Sequence, residues 1–412
     1  MLKSSLAIVL ILISSKIWSA ESTFKGIIDV RAYYVNNTRH AQSYLQGGYG
    51  KFRYNAGSGL ALGQLGLQYQ LSWDNNWSAM IVANAFADKE NINIGLTEGY
   101  LQYKGLPNVQ GWRIKSKIGV FYPQISMENV STAWSTPYTL ASSSLNNWIG
   151  EELRSTGINF TIEKLGKATK SPHTFSMDFA LFQNNDSAGA MLTWHGWTMG
   201  SRQTLLQEKL TVQNFPARNA TLSEQAANSD PFIELDNRLG GHFSVTWRYQ
   251  NALKVNLGFY DNQAEEGLVE EGQYTWTTTF SHLGIKYKVA PQWEIIGQYM
   301  QGNTDMKSPY GVDIVNGKFN NAFVLIRKKW QSSHLAFRLE HFDVDDRDDT
   351  LGDNNNESGN GASLAYRYKL TQHSFVMVEY NWLKSDRPSR HYEHQAVELI
   401  ERQYQLAYRY YF

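Results

Sequence analysis

The chain has no cysteine in its 412 residues. Disulfides are therefore excluded, and so is a lipid anchor carried on an N-terminal Cys. Beyond the first residues there is no apolar run approaching the roughly 20 residues that a transmembrane helix needs. Net charge is also missing, because 38 Lys and Arg balance 38 Asp and Glu. That balance argues against attraction of the whole protein to nucleic acid. Hydrolase machinery is not visible either. No Gly-x-Ser-x-Gly element occurs, and the ten His residues are dispersed. His391 and His394 flank Glu393 at a spacing too loose for a metal centre. The expectation is a protein that is not an enzyme and carries no cofactor.

What is present in quantity is aromatic, with 24 Tyr and 13 Trp. The final stretch is the most informative. Tyr404, Leu406, Tyr408, Tyr410 and Phe412 alternate with Gln403, Gln405, Ala407, Arg409 and Tyr411. That is a strand with one greasy and one mostly polar face. Segments of the same kind, about ten residues each, recur along the chain. Leu65, Leu67, Tyr69, Leu71 and Trp73 oppose Gln64, Gln68, Gln70 and Ser72; Phe243, Val245, Trp247 and Tyr249 oppose His242, Ser244, Thr246 and Arg248. Short joints such as Asp74–Asn76 and Ala290–Gln292 alternate with long ones such as Pro123–Gly150 and Asn185–Leu235. The pattern predicts an all-β protein, a transmembrane antiparallel up-and-down β-barrel of about 16 strands, wide enough for water. Trp73, Trp77, Trp112, Trp293 and Trp330 beside the short joints fit an aromatic girdle.

At the N-terminus Lys3, the apolar run Leu6–Ile13 and the small residues Ser19-Ala20 read as a signal peptide over 1–20, leaving a barrel over 21–412. The expected location is the outer membrane of a Gram-negative bacterium.

The strand ending on Phe412 resembles the assembly signal of bacterial outer-membrane barrels. The loop after the fifth strand, rich in Ser, Thr and Asn, resembles the pore-narrowing loop of trimeric 16-strand porins. Its stretch Phe121-Tyr122-Pro123, Glu128-Asn129, Trp134, Pro137-Tyr138, Asn147-Trp148, Glu151-Glu152, Arg154 and Gly157, with Glu340-His341-Phe342-Asp343, is similar to the phosphate-selective porins. The resemblance implies a homotrimer in contact with the lipid bilayer and lipopolysaccharide. It places Glu128, Trp134, Tyr138, Trp148, Glu151, Glu152 and Arg154 at a constriction. Ala79, Ala83, Ala85 and Ala87 are candidates for the trimer face.

On the face opposite the apolar stripes lie Arg31, Arg113, Lys115, Lys117, Arg248, Lys254, Lys286, Arg327, Lys329, Arg338, Arg367 and Arg409. Acids on that face are fewer. Arg113, Lys115 and Lys117 alternate with Ile114, Ser116 and Ile118 and form a basic ladder. Such a lumen attracts anions and repels cations. The expected function is a water-filled diffusion channel for small hydrophilic solutes with mild anion preference, phosphate included. The alternative is a sugar channel built on Trp134, Trp148, Trp194 and Trp197; a barrel hydrolase or an adhesin or receptor is more remote. A weak Ca²⁺ candidate is Asp343, Asp345 and Asp346.

Overall fold

The computed structural model describes residues 20–36, 42–88 and 91–412. The expected signal peptide therefore lies outside the described residues except for Ala20, as does part of the joint Lys89–Asn93.

Sixteen strands close into one barrel. They are β1 (Ala20–Asn36), β2 (Gly57–Trp73), β3 (Trp77–Asp88), β4 (Asn91–Lys104), β5 (Trp112–Phe121), β6 (Ser155–Lys164), β7 (His173–Gln183) and β8 (Gly240–Tyr249). The second half comprises β9 (Leu253–Asp261), β10 (Thr277–Ala290), β11 (Trp293–Lys307), β12 (Asp313–Lys329), β13 (Ser333–Asp346), β14 (Glu357–Lys369), β15 (Ser374–Asp386) and β16 (Glu398–Tyr411). Each strand pairs antiparallel with its sequence neighbour, and β16 returns to β1 from Ile27↔Tyr411 to Asn36↔Arg402. Closure leaves no free edge, which a strand protein in lipid requires.

The alternation seen in the sequence sets which face meets lipid. On β16, Tyr404, Leu406 and Tyr408 are exposed, while Gln403, Gln405, Ala407 and Arg409 are buried. Phe412 finishes the seam by exchanging backbone bonds with Gly26, at 2.8 and 3.2 Å. Its ring lies where a side chain on Gly26 would project. The short joints are tight, and Asn76 takes a left-handed backbone, φ 68°, in the first of them.

The interior is not the open water column that the width suggested. Two long connections fold into the loop-side half of the lumen. The first, residues 122–154, carries helix α1 (Ser144–Glu152), capped by Ser143 Oγ on Asn146 N at 3.3 Å. The second, residues 184–239, carries the short helix α2 (Ala190–His195). Between them and the wall sits an apolar core. Trp148 packs edge-on against Trp197, Phe280 and Phe319, with ring centroids 5.7, 5.6 and 5.4 Å away. Tyr260, Phe280, Met300, Phe319, Phe342 and Leu383 face inward and are closed to solvent. The inner wall thus carries an apolar patch where the aromatic parts of the loops pack, because burial rather than the barrel itself selects the residue type there.

Candidate functional site: a basic lumen beneath the inward-folded loop

The turn-side half of the lumen holds two adjoining cavities. One, of about 200 Å³, is walled by β4–β8 and includes Lys115, Lys117, Glu163, Asp178 and Arg248. The other, of about 480 Å³, includes Arg248, Lys254, Lys286, Arg327, Lys329 and the loop residue Tyr138. Together their linings carry eight basic side chains against the three acids Glu163, Asp178 and Glu294. Arg248 belongs to both.

Register explains the concentration of charge. Arg248 stands opposite Lys254, and Lys254 opposite Lys286, so three cations form a row across β8, β9 and β10. Like charges directly opposed across strands destabilise a sheet. Lys286 has Glu294 at 3.5 Å, and Glu294 also takes Arg327 at 2.8 Å. Among the described residues, no carboxylate forms an ion pair with Arg248 or Lys254. Tyr138, at the tip of the loop, lies between Lys286 and Arg327, 5.2 and 5.0 Å from its ring centre.

On the strand of the basic ladder, Ile114 and Ile118 are exposed to the outside, which turns Arg113, Lys115 and Lys117 to the other face. The ladder's charge is largely spent, however. Arg113 and Lys115 both bind Glu163 on the neighbouring strand. Lys117 lies over the Tyr100 ring at 4.6 Å.

Four residues expected to line the pore do something else. Arg31 and Arg409 clamp Asp29 from either side, at 2.8 and 2.6 Å, with all three buried. Arg409 also donates to the carbonyls of Thr136 and Thr139 at 2.8 and 3.2 Å. Arg338 is closed to solvent, bound to Glu128 at 2.6 Å and Glu340 at 3.1 Å, and donates to Ala141 O at 2.9 Å. Arg367 reaches Pro137 O at 3.2 Å. Arg338, Arg367 and Arg409 hold the loop to the wall because its carbonyls and Glu128 outcompete water for them once buried.

The loop residues divide likewise. Of the residues expected at the constriction, Tyr138 lines the larger basic cavity. Glu128 ties the loop together, accepting from Ser143 N and Asn146 Nδ2 at 2.9 and 3.0 Å. Trp134 stacks on Tyr122 at 4.1 Å, and Arg154 covers the other side of the same ring at 4.1 Å. Trp148 and Glu152 sit in the core, and Glu151 faces His195 Nε2 at 3.0 Å. Of the four tryptophans expected to guide sugars, Trp148, Trp194 and Trp197 are at most 2% exposed and offer no ring face to a solute, while Trp134 is half-buried with one face stacked on Tyr122.

The Ca²⁺ candidate is also corrected. Asp345 pairs with Arg347 at 2.9 Å, while Asp346, on the opposite face of β13, accepts from Asn355 N at 2.8 Å. Asp343 binds the Asn320 amide instead. Among the described residues, the carboxylates that converge are Asp186, Glu234 and Asp236, from the second loop. Their separation in sequence hid them.

Glu152 gives the docked loops a pH dependence. It accepts from Gly189 N, Met191 N and Leu192 N at 3.2, 3.0 and 3.3 Å, at the start of α2. Burial outweighs these bonds and pushes its carboxyl up to about 7 from its ordinary value of 4.5. A raised acid favours docking fully below about pH 4.5, and that contribution is lost as pH rises through about 7. Docking is expected to loosen between pH 5 and 8. Acrylamide quenching of the loop tryptophans should rise over that interval, and Glu152→Gln should flatten the curve; a flat curve in the unaltered protein contradicts the assignment.

Residues 215–408 match the family described as "Putative beta-barrel porin-2, OmpL-like". No curated protein matches the sequence. Among solved structures, the outer membrane channel DcaP of Acinetobacter baumannii shares 11% identity over 95% of this chain and 97% of that one, with a TM-score of 0.54. The anion-selective porin from Comamonas acidovorans shares 13% over 96% and 100%, with a TM-score of 0.52. OmpT of Vibrio cholerae in its trimer form shares 10% over 96% and 100%, with a TM-score of 0.50. The chain therefore folds as a closed 16-strand antiparallel β-barrel, the fold of these channels, and its residues 215–408 match the OmpL-like porin family.

Proposed function

We propose that this barrel is a passive channel for small hydrophilic solutes with a preference for anions, oxyanions such as phosphate among them. The observation that carries the reading is the Arg248–Lys254–Lys286 row. Three cations opposed across strands cost stability, and an anion passing between them offsets that cost. Arg and Lys donors in a narrow, low-dielectric passage raise the local anion concentration, yet each is weak enough to release its guest. The fold-level likeness to an anion-selective porin agrees with this reading. Export by cleavage after Ala20 and assembly as a homotrimer in a Gram-negative outer membrane complete the proposal. The likeness to a barrel described in trimer form supports the assembly, and Ala79, Ala83, Ala85 and Ala87 of β3 are its candidate contact.

Reversal potential across a planar bilayer in a KCl gradient tests the selectivity. The unaltered channel is expected to favour chloride, and added phosphate should reduce the chloride current. Arg248→Gln with Lys254→Gln removes charge without freeing an acid, and should lower the anion-to-cation permeability ratio by roughly threefold or more. Cation-selective current through the unaltered channel sinks the proposal.

A further inference from the structure

A separate cavity of about 280 Å³ opens at the loop-side mouth, between the first connection, the β3 end and the two inward-folded loops. Its lining includes the carboxylates Asp88, Glu151 and Glu208 and the apolar residues Leu45, Met191 and Leu210. Two of the carboxylates are already engaged. Asp88 takes Arg53 and Arg202 at 2.9 and 2.6 Å, and Glu208 takes Arg202 and its own neighbour Leu205 N. Lys209, also in the lining, faces Asp230 at 3.4 Å.

Glu151 differs. It is only 4% exposed, its Oε1 lies 3.0 Å from His195 Nε2, and its Oε2 has no hydrogen-bond partner. His195 Nδ1 lies 2.8 Å from Gly196 O. A carbonyl can only accept, so Nδ1 carries a proton. The proton between Nε2 and Oε1 then rests either on the imidazole or on the carboxyl. In both cases Oε2 remains an acceptor without a donor, a costly state for a buried oxygen.

We propose that this cavity binds a small primary ammonium on a short apolar stem, with Glu151 Oε2 as its acceptor. The three carboxylates are not among the sets of described residues that converge within 4.8 Å. A hard metal ion needs such convergence, since it gathers several oxygens around one point. An ammonium instead needs one strong acceptor and tolerates the others at a distance. Leu45, Met191 and Leu210 supply a surface for the hydrocarbon. The site does not depend on the charge preference of the lumen. It places recognition of a cationic group ahead of a basic passage, an order that suits solutes carrying both signs.

Calorimetric titration of the full chain in detergent with n-butylammonium chloride tests the site. One-to-one binding in the millimolar range is expected, about tenfold or more tighter than for butanol or butyrate. Tetramethylammonium, which has the charge but no N–H donor, should bind about as weakly as butanol. Glu151→Gln should lose the advantage of butylammonium over butanol. Equal binding of butanol and butylammonium, retention of the advantage in Glu151→Gln, or displacement of butylammonium by Ca²⁺ at lower concentration each overturns the proposal. Should Glu151→Gln fail to fold, the three-ligand comparison on the unaltered protein decides alone.

Discussion

Arg338→Met should release the inward-folded loop while leaving the barrel intact. Arg338 is fully buried and joins Glu128 of the loop to Glu340 of β13. It also donates to Ala141 O, Ser142 O and Ser363 Oγ at 2.9, 3.2 and 3.1 Å. Methionine fills similar volume but leaves two carboxylates and two carbonyls without their donor. Removing one side of a buried ion pair costs about 3–5 kcal/mol. That cost falls on loop docking, because the sixteen strands keep their backbone ladders. Single-channel conductance should rise severalfold, and the 122–154 segment should become sensitive to protease, with unchanged heat-modifiable mobility of the barrel. Glu128→Gln added to Arg338→Met should restore part of the docking, since it removes one stranded charge. Unchanged conductance and protease resistance in Arg338→Met would refute the role.

Asp29→Asn should weaken the barrel itself. Asp29 accepts from Arg31 Nε and Nη2, both at 2.8 Å, and from Arg409 Nε at 2.6 Å. The strands that carry these residues, β1 and β16, form the closing seam. An amide of the same shape leaves two buried guanidiniums facing each other. The penalty is again about 3–5 kcal/mol, here at the last pairing to form. The temperature at which the folded band is lost on unheated gels should drop clearly. Arg31→Met in the Asp29→Asn background should recover part of the loss. A folded band as heat-resistant as that of the unaltered protein would show that the seam does not need the clamp.

The frame was legible in the sequence because lipid and water impose a two-residue rhythm on every strand. The Tyr404–Phe412 stripe, the alternating joint lengths and the strand number all follow from it. The direction of the ladder Arg113–Lys115–Lys117 was legible for the same reason. Its neutralisation was not, since Glu163 comes to it only through the pairing of β5 with β6. Arg409 and Asp29 lie 380 residues apart and meet only when the barrel closes. The depth of the filling was hidden by a related effect. Phe280, Phe319 and Phe342 sit on the face that the rhythm assigns to water, and only the tertiary position of two loops turns that face into a core. The burial of Trp148 and Trp194 was not legible, because loop aromatics carry no periodicity that tells burial from exposure.

The seam between Gly26 and Phe412 has a consequence for how the protein is made. The first strand of the barrel pairs with its last, so β1 keeps an open edge until β16 has been made. Closure is therefore possible only once β16 is available. Arg409 cannot grip Asp29, nor the carbonyls of Thr136 and Thr139, before that moment. A chain cut short by even one strand would lack both the seal and one anchor of the loop, and would expose itself as unfinished to any protease that inspects it. Arrival of β16 and closure of the barrel are one event.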